Sequence, residues 1–161
     1  MPTPLTPAYA LTSAQTGYGD VIFFSIDGGE TFIQVMQTKN IAYSGQKKDF
    51  VDTTTTTSTG GYKTSQGTLK DPGSMTFDCV FLATDPGQLA LAAAYDADTI
   101  LTVKHVYKVQ PGFASGPINT FSAEVEQFPL PGSDETKVAT ISVSLKISGP
   151  IAQTAAVASG S

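Results

Sequence analysis

The fold is decided by residues 71–99, DPGSMTFDCVFLATDPGQLALAAAYDADT. Its first half alternates, with Met75, Phe77, Cys79 and Phe81 on one side of an extended chain and Thr76, Asp78, Val80 and Leu82 on the other. A period of two with one wholly apolar face predicts a strand lying over a core. The second half carries helix-start signals in order. Asp85 is placed to cap the first free N–H groups, Pro86 suits the first helical position, and Gln88 stands three residues after the cap, the spacing of a capping box. Leu89, Ala92 and Ala93, together with Leu91 and Tyr95, then recur at helical spacing. Every other long segment reads as strand or loop, so a single helix has to cover part of a β core.

Working outward from this stretch, strands follow it and precede it. Downstream, 99–107 alternates Leu101, Val103, His105 and Tyr107 with Ile100, Thr102, Lys104 and Val106. Segment 118–128 sets Phe121, Ala123 and Val125 against Ser122, Glu124 and Glu126. Segment 136–148 has the clearest alternation, with Ala139, Ile141, Val143, Leu145 and Ile147 on one side. Pro/Gly-rich turns separate them. Upstream, 20–27 and 30–37 flank Gly28-Gly29, a two-residue connection suited to a tight hairpin, and a short third strand is expected over 40–44. Between these halves, 45–70 contains five successive threonines and offers no apolar face. It reads either as a mobile surface loop or as a loop or hairpin ordered against a neighbouring subunit. Residues 1–19, with Pro2, Pro4 and Pro7, read as an extended arm, and 149–161 as a tail or second arm. The expected organisation is one domain: an arm at 1–19, a β core at 20–148 carrying the inserted loop 45–70, and a tail at 149–161. The expected class is mainly β, a β-sandwich or partial barrel with one flanking α-helix.

Composition narrows the function. The 161 residues carry nine lysines, no arginine and fourteen acids, for a net charge of −5. Tight nucleic-acid binding needs basic clusters, and only Lys47-Lys48 approaches one. No run is long enough to span a bilayer, and the N-terminus lacks the basic start and apolar centre of a signal peptide. Cys79 is the only cysteine, so no internal disulfide can form.

Enzymatic and metal chemistry find little support. Cys79 and His105 could form a thiol–imidazole pair only within hydrogen-bond reach, yet both lie mid-strand on apolar faces. Asp85, Asp96 and Asp98 are the nearest carboxylate cluster and lack calcium-loop spacing. Gly28-Gly29 and Gly60-Gly61 lack a phosphate-loop context. Glu124 and Glu126 share a strand face, where solvation is the ordinary state. No catalytic residue, cofactor or metal is expected.

In residues 52–95 a threonine-bearing loop leads into Gly-Tyr-Lys-Thr, then Leu-Lys-Asp-Pro-Gly-Ser, a Met-Thr-Phe-Asp-Cys-Val-Phe strand and an Asp-Pro-Gly-Gln-Leu-Ala-Leu helix start. This order, closed by the VATISVSLKISGP strand, resembles the tail tube (major tail) proteins of long, non-contractile-tailed bacteriophages over roughly residues 20–150. The resemblance implies a sandwich-like β fold with a flanking helix, forming hexameric rings that stack into a hollow tube delivering viral DNA to the host. Four strands per subunit would line the lumen. The implied partners are further copies of the chain and other tail proteins (tail tip, tape measure, terminator), with DNA passing unbound, no membrane, and a place in the virion tail after synthesis in the host cytoplasm. Carried over by position, Lys47, Lys48, Phe50, Asp52, Thr54, Thr56 and Tyr62 would touch an adjacent subunit, and Glu124 and Glu126 would face an acidic lumen. The alternatives are the inner tube of a contractile tail or type VI-like secretion system, a monomeric β-sandwich binding module, and a hydrolase using Cys79 and His105.

Overall fold

The alternating segments become strands that pair antiparallel throughout. The computed structural model describes residues 18–160. In chain order the elements are β1 (Val21–Ser25), β2 (Ile33–Val35), β3 (Thr38–Ser44), β4 (Lys47–Asp52), β5 (Ser65–Asp71), β6 (Ser74–Val80), α1 (Pro86–Asp96), β7 (Leu101–Val106), β8 (Phe113–Ser115), β9 (Ile118–Gln127), β10 (Thr140–Thr154) and β11 (Val157–Ala158). Seven strands form one sheet in the order β2-β1-β7-β9-β10-β6-β3, while β4 pairs with β5 and β8 with β11. The expected N-terminal arm lies almost wholly outside the described residues.

The sheet is curled. Its two edge strands, β2 and β3, are joined by only Met36 and Gln37, so the edges must come round to meet. Tyr43 of edge strand β3 accordingly packs on His105 of β7 and edge-on against Phe121 of β9, with ring centroids 5.8 and 6.0 Å apart. Inside the curl lie Ile22, Phe24, Met75, Phe77, Cys79, Leu101, Val103, Phe121, Ile141, Val143, Leu145 and Ile147, all buried. These are the apolar faces expected from the alternation, and the β-sandwich or partial barrel with one helix is the observed class.

Helix α1 closes one end. Asp85 Oδ2 accepts from Gln88 N at 3.2 Å, the expected cap, and from Met36 N at 3.3 Å, which pins the helix start to the β2–β3 link. The other half of the expected capping box does not form. Gln88 instead donates from Nε2 to Val80 O (2.7 Å) and accepts at Oε1 from Leu82 N (3.0 Å). By taking those backbone groups Gln88 ends β6 at Val80, and Phe81, expected on the core face, emerges partly exposed. The helix buries Gly87, Gln88, Leu91 and Ala94, whereas Leu89 and Tyr95, expected on its apolar face, point outward. Gly87 permits this packing, since a Cβ there would stand 2.4 Å from Gln34 O on β2.

Three further expectations change. The connection between β1 and β2 spans 26–32 in place of a two-residue turn, because the Asp27 carboxylate gathers the Ser25 hydroxyl and the N–H groups of Glu30 and Thr31 into a wider loop. The two ends of segment 45–70 pair as the β4–β5 ribbon. The tail expected from Gly149 is instead a continuation of β10 to Thr154, followed by β11 on β8; a register shift between Ser148 and Ala152 lets β10 stay paired with β9.

Because neighbouring strands run in opposite directions, the connections sort to two ends. Loops 26–32, 81–100 (with α1) and 128–139 lie at one, the helix end. The β4–β5 ribbon, loop 107–117 and the exit from β10 lie at the other, the ribbon end.

Candidate functional site

The ribbon is the feature with no internal explanation. All six residues of β4 are exposed, and so are most of β5. Phe50 is 64% exposed, Leu69 77% and Tyr62 79%. A two-stranded ribbon of this kind is at best marginally stable in water alone. Its tip is held by local bonds: Thr54 N donates to Asp52 Oδ1 at 2.8 Å, Thr64 N donates to Thr54 Oγ1 at 3.0 Å, and Thr53 N donates to Thr64 O at 2.8 Å. The Thr54 hydroxyl and N–H lower the Asp52 pKa, so that carboxylate stays charged. Lys48 reaches over the Phe50 ring, 5.7 Å from its centroid. At its root the ribbon and β10 flank an open cleft of about 660 Å³ lined by Lys47, Lys48, Lys70, Asp71 and Ile151. Lys47, Lys48, Phe50, Asp52, Thr54, Thr56 and Tyr62 thus share one exposed projection. Val51 and Leu69, equally exposed, belong with them and were legible as the remaining apolar residues of 45–70.

Glu124 and Glu126 stand on the outer face of β9, exposed. Glu124 pairs across the ladder with Lys146, whose ammonium lies 3.5 Å from Asp71, and Glu126 accepts from Ser144 Oγ at 2.8 Å. On β6, Asp78 accepts from Ser142 Oγ (2.6 Å) and Asn40 Nδ2 (2.8 Å), bonds that lower its pKa. This face is therefore a field of short hydroxyls among partnered charges.

The thiol–imidazole reading fails on geometry. Cys79 lies near the helix end of β6, level with Ile141 and Thr38, whereas His105 lies near the ribbon end of β7, level with Asn119, and its ring meets Tyr43, Tyr107 and Asp20. Burial pushes the Cys79 thiol up to about 11, with Asp85 and Asp78 adding to the shift. His105 is 2% exposed; Nδ1 lies 2.9 Å from the Tyr43 hydroxyl, and Nε2 lies 3.4 Å from Asp20 Oδ2 without a well-formed hydrogen bond. Burial holds the ring below its ordinary pKa against the pull of Asp20. Asp20 is itself fixed by Lys108 N at 2.9 Å. Among the described residues no three His, Cys, Asp or Glu side chains converge as a metal site.

The tail of an empty gene transfer agent particle, refined with C6 symmetry, superposes with a TM-score of 0.66 at 18% identity, covering 88% of this chain and all of that one. The SPP1 tail tube subunit gives 0.62 at 16% identity, covering 89% of this chain and 81% of that one. The chain has the tail-tube fold. A component of the six-fold anti-feeding prophage baseplate gives 0.68 at 7% identity, covering 89% and 97%, so the tail-tube fold here has counterparts in more than one kind of tubular particle. No protein-family model and no curated protein matches the sequence.

Proposed function

We propose that this protein is the structural subunit of a phage tail tube. In this reading six copies form a ring, rings stack into a hollow tube in the virion, and viral DNA travels through the lumen to the host. The observation that carries the proposal is the ribbon: a projecting, two-sided, solvent-exposed element with Phe50, Val51, Tyr62 and Leu69 on its surface, at home only against another chain. The six-fold symmetry of the gene transfer agent tail, on the same fold, supports a ring of six. Other tail proteins (tip, tape measure, terminator) would complete the particle, and the chain would be made in the host cytoplasm. The long threonine ribbon and the Pro-rich N-terminus favour a non-contractile tail over the inner tube of a contractile one.

The hydroxyl-rich face of β6, β9 and β10, with Glu124 and Glu126, is the surface assigned to the lumen. It has no arginine fork for phosphate, and its carboxylates Glu126 and Asp78 are held by hydroxyl and amide donors and keep their negative charge, so DNA slides past it.

Negative-stain images of the purified protein at rising concentration test the reading. Rings of six copies and stacked tubes are expected; a species that stays monomeric at every concentration would refute it.

A further inference from the structure

The curl of the sheet leaves a seam. Among the described strands, β3 is paired with β6 alone and β2 with β1 alone, so the two edges meet without a shared ladder. An open groove of about 700 Å³ lies at this seam, between Asp20 and Val21 at the start of β1 and Val35, Thr38 and Ile41 around the β2–β3 corner. β3 is irregular where it borders the groove: Asn40 has a φ of 54°, and its pairing with β6 shifts between Lys39 and Ala42. Just beyond, Tyr43 reaches over the seam. Its hydroxyl lies 2.9 Å from His105 Nδ1, and its ring stacks on the imidazole and stands edge-on to Phe121.

His105 is the sole histidine of the chain and is buried. Asp20 faces it from the start of β1, Tyr43 from β3, Tyr107 from its own strand and Asn119 from β9. Asp20 is the charged group in this set. Burial pushes the Tyr43 phenol up to about 12, so it keeps its proton. With the Asp20 carboxylate 3.4 Å from Nε2, that nitrogen carries the ring proton, and Nδ1 is left to accept from the Tyr43 hydroxyl.

We propose that Tyr43 is an acid-released clasp: protonation of His105 breaks its bond to Tyr43 and opens the seam at β3. A second proton enters the ring at Nδ1, where the new N–H meets the Tyr43 O–H and leaves two donors facing each other. Asp20 favours the resulting imidazolium, but burial disfavours it more, so the closed form holds this proton less tightly than a hydrated ring does. Turning Tyr43 outward admits water from the groove to Nδ1 and relieves that cost. The ratio of open to closed chains therefore rises as pH falls below 6.5, by at most about tenfold per pH unit. β3 keeps its ladder with β6, so the opening is local. Gly45 follows Tyr43 by two residues, and the release extends to the root of the ribbon. The inference concerns a single chain and stands whether or not that chain builds a tube.

Amide hydrogen exchange on dilute, unassembled protein, corrected for the intrinsic effect of pH, tests the clasp together with heteronuclear NMR of the single imidazole. At pH 7.5 the ring is expected to be the neutral tautomer protonated at Nε2. Between pH 7.5 and 5.5 the protection of 38–44 should fall by up to about tenfold, while that of β9 and β10 changes far less. His105→Gln should abolish the fall. Tyr43→Phe, which keeps the ring and removes the hydroxyl, should lower the protection of 38–44 already at pH 7.5. A ring protonated at Nδ1, a constant protection of 38–44, a loss shared equally with β9 and β10, or a fall that persists in His105→Gln would each overturn the inference. The tautomer and the place of the opening are read on the parent chain, so they decide the matter even where a variant fails to fold.

Discussion

His105 is the residue whose environment makes the sharpest solution prediction. Its ring is buried among Tyr43, Tyr107, Asn119 and Asp20, and burial keeps its folded-state pKa below the ordinary 6.5. Below pH 6.5 the unfolded chain takes up a proton that the folded ring refuses, so stability falls as pH drops from about 6.5 toward the folded value, by at most about 1.4 kcal/mol per pH unit. Urea midpoints should therefore decline between pH 7.5 and 5.5, and His105→Gln should flatten that decline. The carboxylates with lowered pKa values, Asp71 and Asp78 among them, add stability that is present above the ordinary carboxylate pKa and lost as pH falls below about 4, a separate window. Asp85 makes a second prediction at this scale through its two hydrogen bonds. Asp85→Ala removes acceptors from both Gln88 N and Met36 N and should cost about 1–3 kcal/mol in chemical denaturation. The cap was legible in the Asp-Pro-Gly-Gln spelling. The role of Gln88 was not, because its partners on β6 come from the tertiary approach of strand and helix, which local spacing does not record.

At the scale of elements, the strands were legible because each buries one face: β6, β7, β9 and β10 show the alternation that their sequences spell. The ribbon was not, for the complementary reason. With neither face buried in its own chain, β4 and β5 have no hydrophobic period to read, and threonine-rich sequence suits loop and strand alike. Its independence from the core leads to a prediction. Replacing residues 48–69 with a short glycine–serine turn should leave the dichroism of the barrel intact and abolish tube formation by sedimentation. Helix α1 is the opposite case. Its contact face was misread because Leu89 and Tyr95 are its most apolar outward positions, while Gly87 faces β2, where close approach matters more than hydrophobicity. Gly87→Val should cost about 1–3 kcal/mol through overpacking against Gln34, read as a lower denaturant midpoint.

At the scale of the whole molecule, a curled seven-stranded sheet separates three surfaces: a hydroxyl-rich wall, an acidic helix end and a ribbon end. The tail-tube resemblance was carried by the order of short motifs across 52–95, and the superposition on known tubes agrees with it at the level of fold. The proposed lumen has its own expected outcome. Glu124→Lys/Glu126→Lys should still assemble, and the resulting tubes should retain DNA in a salt-sensitive manner that parental tubes do not show.

The central claim is that this chain builds a tube from rings of itself, and helical reconstruction from cryo-electron micrographs of the concentrated protein tests it most directly. Six subunits per ring are expected, with a hollow lumen walled by the outer face of β6, β9 and β10 and each ribbon buried against another subunit. A dispersed monomer, or tubes whose ribbons project free into solvent, would contradict it.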